Sequence, residues 1–178
     1  DKELAGAATG KARYQAQVTQ TAKTIPGYTL VSDENQAINI AIEDPANVAS
    51  KNVRIFYYVE QTVEIKYAVV GPTDCGTLDN YQESQLKVIT GTPKGSTPTA
   101  NPGFKFVGWF MDEPCDIHVE SVITGAVDAT TNKMTPQKRP GANLHFAATY
   151  YAKFEPDVAD LTITKSGAEK IDENQSFI

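Results

Sequence analysis

The 178-residue chain is poor in the residues that carry most enzyme chemistry, with two histidines, two cysteines, two methionines and one tryptophan. Only His118 and His145 offer neutral-pH bases, and they stand 27 positions apart. There is no Gly-x-Ser-x-Gly elbow, His-Glu-x-x-His pair, phosphate loop or Cys-x-x-Cys pair. Hydrolase, metalloprotease and nucleotide-binding readings therefore lack their minimal parts. No catalytic residue, metal ligand set or cofactor is expected. Positive charge is also scarce: 16 Lys and Arg against 22 Asp and Glu give a net charge of −6, which repels polyanions. The basic residues form no stripe with interleaved aromatics, so nucleic acid is not an expected partner. Apolar runs such as Ile55 to Tyr58 and Ala68 to Val70 are strand-sized, far short of the roughly 20 residues of a membrane span. Leucine is rare as well, 6 residues against 19 threonines, which disfavours helical bundles, because β-branched side chains suit a pleated surface. The start, Asp1-Lys2-Glu3-Leu4, has neither an initiator Met nor a signal-peptide pattern and reads as an excised piece or a mature form.

What the chain does have is an internal echo. Ile25-Pro26-Gly27-Tyr28-Thr29-Leu30-Val31 returns as Asn101-Pro102-Gly103-Phe104-Lys105-Phe106-Val107, with the Pro-Gly pairs 76 residues apart. Each copy is followed by an acidic stretch and later by a double tyrosine, Tyr57-Tyr58 and Tyr150-Tyr151. The reading is a Pro-Gly turn that delivers an aromatic residue into a strand, used twice. Between the Pro-Gly and Tyr-Tyr landmarks the units span 31 and 48 residues, so the second carries a 17-residue insertion near 126–143. Alternation predicts strands over Arg13 to Thr19, Tyr28 to Ser32, Ala37 to Ile42, Asn52 to Val59, Val63 to Val70, Gln85 to Thr90, Phe104 to Phe110 and His145 to Phe154. Asp44 to Ser50 and Asp116 to Ile123 are the two short helix candidates, and Gly91 to Pro98 and Thr130 to Asn143 read as loops.

These residues carry resemblances. The stretch from Lys11 to Glu60, with Thr24-Ile25-Pro26-Gly27-Tyr28-Thr29-Leu30-Val31 and Asn52-Val53-Arg54-Ile55-Phe56-Tyr57-Tyr58, resembles the mucin-binding-protein (MucBP) repeat of Gram-positive surface proteins without its usual first strand. Val63 to Phe154, with Gly103-Phe104-Lys105-Phe106-Val107-Gly108-Trp109-Phe110, resembles the internalin-type B-repeat. Asp160-Leu161-Thr162-Ile163-Thr164-Lys165, with Glu173 to Ile178, is similar to the opening strands of a collagen-adhesin B-type domain. The resemblance implies a mostly β (α+β) chain of two tandem small β-grasp-like modules, 1–61 and 62–156, plus a truncated C-terminal β segment, 157–178. It also implies a non-catalytic stalk or adhesion repeat, extracellular and on a bacterial cell surface, whose partners are host mucin glycans or surface proteins and the neighbouring domains of its own chain. The alternative is a carbohydrate-binding module, with Tyr57, Tyr58, Tyr150 and Tyr151 as the glycan-contact aromatics.

Several residues invite sharper chemistry. Acidic groups such as Asp33-Glu34, Glu43-Asp44 and Asp112-Glu113 with Asp116 lack calcium-loop spacing and read as solvated loop carboxylates. Strict alternation puts Phe104, Phe106 and Gly108 on one strand face and Lys105, Val107 and Trp109 on the other. The resemblance favours a buried Trp109 over an exposed sugar platform, with Gly108 admitting a close neighbour. Lys165 matches the strand lysine that forms an isopeptide bond in collagen-adhesin B-type domains, although the partner strands are absent from this chain. An even cysteine pair in a protein of secreted type favours a Cys75–Cys115 disulfide, two free thiols being the alternative. Each cysteine lies five residues past a predicted strand end, so parallel strands would place both at one end of the sheet, whereas antiparallel strands would require Thr73 to Gln85 to fold back. The two-residue junction Gln61-Thr62 predicts limited swivelling and a rod-like pair.

Overall fold

In the computed structural model the described residues are 2–41, 52–119 and 125–158. The helix candidate Asp44 to Ser50, the second half of Asp116 to Ile123, and the tail carrying Lys165 lie outside them. The described part is mostly β with almost no helix.

Among the described residues of the N-terminal part lie four strands: β1 (Gln17–Thr21), β2 (Tyr28–Leu30), β3 (Asn35–Asn39) and β4 (Tyr58–Glu60). β1 pairs antiparallel with β3, and β2 pairs antiparallel with β4. One residue later the chain enters β5 (Thr62–Val70), followed by β6 (Gly76–Leu78), β7 (Gln82–Lys87), β8 (Pro98–Ala100), β9 (Phe104–Phe110), β10 (Gly125–Val127), β11 (Met134–Pro136) and β12 (Ala148–Pro156). The main sheet has the order β7-β5-β12-β9. Its first and last strands, β5 and β12, are parallel neighbours at the centre, flanked by antiparallel β7 and β9.

One face of this sheet builds the core. Alternation sends Ile65 and Tyr67 of β5 to the same side as Tyr150, Ala152 and Phe154 of β12, all buried. Leu78, Val119 and Met134, from the β6–β8 and β10–β11 ladders and the segment after β9, close over that side. Trp109 is 0% exposed, meets Tyr67 and Phe106 edge-on, and donates its indole N–H to the Asn132 carbonyl at 2.8 Å. Strict alternation would have put Phe106 and Trp109 on opposite faces. A bulge overrides it: Lys153 pairs with Gly108 and the next residue, Phe154, with Phe106, so Val107 is the extra residue and both rings reach the core. Gly108 admits the His118 imidazole, which a Cβ there would meet at 3.2 Å.

The echo of the two Pro-Gly segments is structural. Gly27 and Gly103 have φ of 80° and 86°, and the turns close with Tyr28 N–H to Ile25 O at 3.1 Å and Phe104 N–H to Asn101 O at 3.0 Å. Proline followed by a positive-φ glycine is the type II turn requirement. In each case the glycine carbonyl accepts, at 2.8 Å, the N–H of the residue after the closing strand, Gln61 or Asp157. This register equates Tyr58 with Phe154, so the two tyrosine doublets are not equivalent positions. Gly27 to Gln61 spans 34 positions and Gly103 to Asp157 spans 54, so the insertion is 20 residues rather than 17.

The expected disulfide is a correction. Cys75 and Cys115 are buried free thiols. β5 is parallel to β12 and β9 is antiparallel to it, so the chain leaves β5 and β9 in opposite directions. Cys75 belongs to the core cluster, whereas Cys115 lies outside it, near Lys153, which alternation places on the other face of β12. Burial pushes the Cys115 thiol up, outweighing the nearby Lys153 ammonium, and so keeps it protonated and slow to react.

Two outcomes follow. Without reductant, the folded protein resists alkylation at both cysteines and the denatured protein takes two labels; a denatured protein that takes none would restore the bridge. Trp109→Ala removes the largest core side chain and is expected to lower unfolding free energy by about 3–5 kcal/mol, read from urea midpoints.

Candidate functional site

Two features of the N-terminal part stand out: its joint with the main sheet and its exposed apolar face. The joint is built on one long strand. Gln61 donates its N–H to Gly27 at 2.8 Å and accepts the Val88 N–H at 3.0 Å, so β2 and β7 follow one another along the same edge of residues 58–70. β12 occupies the opposite edge of the β5 half. The Glu60 carboxylate reaches across to the end of β7, accepting the N–H groups of Ile89 and Thr90 at 2.7 Å each and the Thr90 hydroxyl at 2.8 Å. Gly27 seals the contact, since a Cβ there would sit 2.9 Å from both the Ile89 and Leu144 side chains. Partial burial works against the Glu60 charge. The Thr90 and Ile89 hydrogen bonds, aided by Lys87, outweigh it and hold the carboxyl below its ordinary range.

The exposed face is a stripe. Val53, Ile55, Tyr57 and Val59 alternate along one side of the segment entering β4, each at least half exposed. Val31, whose N–H bonds the Tyr57 carbonyl at 2.8 Å, extends the stripe at 61% exposure. Beside it, the pairing between residues 32–37 and 54–57 opens into a cleft of about 550 Å³. Side chains bridge that gap: Gln36 donates to the Ile55 carbonyl at 3.1 Å and Arg54 to the Ala37 carbonyl at 3.2 Å. Contiguous exposed apolar surface of this kind marks contact sites.

Of the four aromatics expected to contact glycan, only Tyr57 is freely presented. Tyr58 is half-buried, and its hydroxyl donates to the Lys23 carbonyl at 2.5 Å. Tyr150 is 2% exposed and stacks on Tyr67 in the core, which removes it from any surface platform. Its burial is the β12 alternation at work, because Tyr150 shares the inner face with Ala152 and Phe154. Tyr151 is half-buried in the middle of the main sheet, so the four do not form one platform.

The histidines are also placed apart. His118 stacks on Phe110 with centroids 4.2 Å apart, while His145 is buried and donates its backbone N–H to Val88 at 2.9 Å. Burial, helped by Lys138, holds the His145 imidazole below its ordinary value. Among the described residues no cluster of His, Cys, Asp and Glu has the arrangement of a metal site. Asp112 and Asp128 instead cap their own turns, Asp112 accepting the Ile117 N–H at 2.8 Å and Asp128 the Thr131 N–H at 2.8 Å.

Sequence reasoning had pointed to paired tyrosines and missed both Glu60 and the apolar stripe. The stripe has a sequence signal, the alternation of Val53, Ile55, Tyr57 and Val59, but alternation does not say which face is covered. No family model matches the chain, and neither does a curated protein or a solved structure.

Because the Glu60 pKa is depressed in the fold, its contribution is present above the ordinary carboxylate value of about 4.3 and is lost as pH falls through the lower folded value. In an NMR titration the Ile89 and Thr90 amides are expected to move with a midpoint below that value, and Glu60→Gln should abolish the movement. A midpoint above it would contradict the capping role.

Proposed function

We propose that the chain is a non-catalytic structural and adhesive segment of a bacterial cell-surface protein, two tandem β-grasp-like modules that act as stalk or host-surface contact repeat. The observation that carries this reading is the strand running unbroken in direction from β4 into β5, bonded at Gln61 to both parts. A joint of that kind suits a chain that transmits position or force between neighbouring domains. Further support comes from the sheet order β7-β5-β12-β9, with the first and last strands parallel at the centre, which is the order a β-grasp unit has. The repeated type II turn and its shared closing hydrogen bond support two units of one design, related to MucBP and B-repeats through the motifs quoted above. The N-terminal module is the contact module, because the exposed stripe of Val31, Val53, Ile55, Tyr57 and Val59 lies there.

A sugar-binding function centred on tryptophan has no support, since Trp109 is enclosed. Glycan contact in this reading rests on Tyr57, whose exposed ring stands beside the cleft. Immobilised mucin is the direct probe. The wild-type chain is expected to bind it saturably, and Tyr57→Ala to weaken binding at least about tenfold while shifting stability by no more than about 0.5 kcal/mol. Equal binding by wild type and Tyr57→Ala, or none by either, would count against the adhesive part of the proposal.

A further inference from the structure

The backbone hydrogen bonds of the joint lead, one to the next, to a buried histidine. Gln61 donates its N–H to Gly27 at 2.8 Å, Val88 donates to Gln61 at 3.0 Å, and His145 donates to Val88 at 2.9 Å. Residues 88–91 are thereby held from both parts of the chain. From the N-terminal part, Glu60 caps Ile89 and Thr90. From the main-sheet part, the His145 ring hydrogen-bonds the Gly91 carbonyl. Leu144, the residue before His145, packs with Ile89 against Gly27, where a Cβ would stand 2.9 Å from each. The imidazole is thus a wall of the same contact that Glu60 and Gly27 form.

That ring is enclosed in a way only its neutral form can bear. His145 is 5% exposed, and its Nδ1 has no hydrogen-bond partner among the described residues. In the neutral ring Nδ1 carries a lone pair while Nε2–H serves the Gly91 carbonyl. In the imidazolium both nitrogens carry protons, and Nδ1–H becomes a buried donor without an acceptor. Two charged groups act on the ring: Lys138 of the insertion opposes its protonation and Glu83 of β7 favours it. Glu83 is already committed to the Tyr67 hydroxyl and the Lys94 and Gly95 N–H groups. Residues 88–93 and 140–147 supply no other titratable side chain. His145 also lines a cleft of about 450 Å³ with Thr92, Pro93, Gln137 and Lys138, which gives a charged ring an outlet to water.

We infer that His145 is an acid-sensitive latch on the joint: on taking a proton from solvent, its ring leaves Gly91 for the cleft, residues 88–91 lose their support, and the N-terminal part is freed to move against the main sheet. The sign follows from the burial described above. Because the imidazole is held below its ordinary value of about 6.5, the latched state is fully favoured above that pH and weakens as pH falls through it toward the lower folded value. Glu60, held below the ordinary carboxylate range, stays ionised throughout that interval, so its cap on Ile89 and Thr90 does not titrate with the latch. The latch depends on the joint alone and is independent of the adhesive reading.

Amide exchange on the full chain tests this, read as protection factors so that the intrinsic pH dependence is removed. Between about pH 7.5 and about pH 5, protection at Gln61 and Val88 is expected to fall at least about tenfold, while Ala152 in the main sheet keeps its protection. His145→Phe, which fills the same space with a ring that cannot titrate, should hold Gln61 and Val88 protected at both values. In the wild type, the His145 ring resonances should titrate with a midpoint below about 6.5 that coincides with shifts of the Gln61 and Val88 amides. Protection that does not change with pH, an equal fall in His145→Phe, or joint shifts that follow the midpoint of His118 instead would each overturn the assignment.

Discussion

The peptide groups on either side of Gln61 tie the molecule together. One hydrogen bond goes back to the Gly27 turn and one comes from Val88 at the end of β7, so a single residue belongs to two ladders. Hydrogen bonds of this type contribute only about 1 kcal/mol each in net terms. Their geometric effect is larger, because they force β4 and β5 into one line and bring Gly27 against Ile89 and Leu144. Glu60 then fixes the end of β7 from the other side with three accepted hydrogen bonds. A glycine at position 27 meets two demands at once, the positive φ of the turn and the close approach of the joint.

The two parts differ in how completely they are filled. The C-terminal sheet encloses Trp109, Phe154 and Ile65 and adds a polar clasp beneath them. The Tyr67 hydroxyl donates to Glu83 at 2.5 Å, and Glu83 in turn accepts the Lys94 and Gly95 N–H groups at 2.8 and 2.9 Å. Burial and the Glu83 carboxylate together push the Tyr67 hydroxyl up, so it remains a donor at any ordinary pH. Ser96, fully buried, ties the same loop to the Asn80 carbonyl at 2.7 Å. Among the described residues the N-terminal part has no comparable interior, and side chains such as Gln36 and Arg54 bridge its opened hairpin beside the joint.

Much of the strand layout was legible from alternation. Phe104 to Phe110 is a strand with the expected bounds, and Val63 to Val70 differs by one residue. Asn52 to Val59 was legible as extended chain, but only Tyr58–Glu60 is a paired strand, because backbone bonds give way to side-chain bridges upstream. The three-residue strands β6, β8, β10 and β11 carry too little alternation to be seen, and two of them lie in or beside stretches that turn chemistry marked as loops. The β9 bulge could not be read from a period of two, and it is what lets Phe106 and Trp109 share a face. The cysteine pairing failed because it depended on strand direction, which sequence spacing does not contain. The joint was legible only as a short linker; that Glu60 caps a distant turn required the fold.

Whether the two parts move as one body tests the central claim most directly. Backbone ¹⁵N relaxation on the isolated chain at low concentration should yield a single rotational diffusion tensor for residues 17–39 and 62–156, with Gln61 as rigid as β5. Glu60→Ala, which removes the cap on Ile89 and Thr90, should separate the two sets. Distinct correlation times for the two parts of the wild-type chain, with fast motion at Gln61, would contradict a strand shared between them.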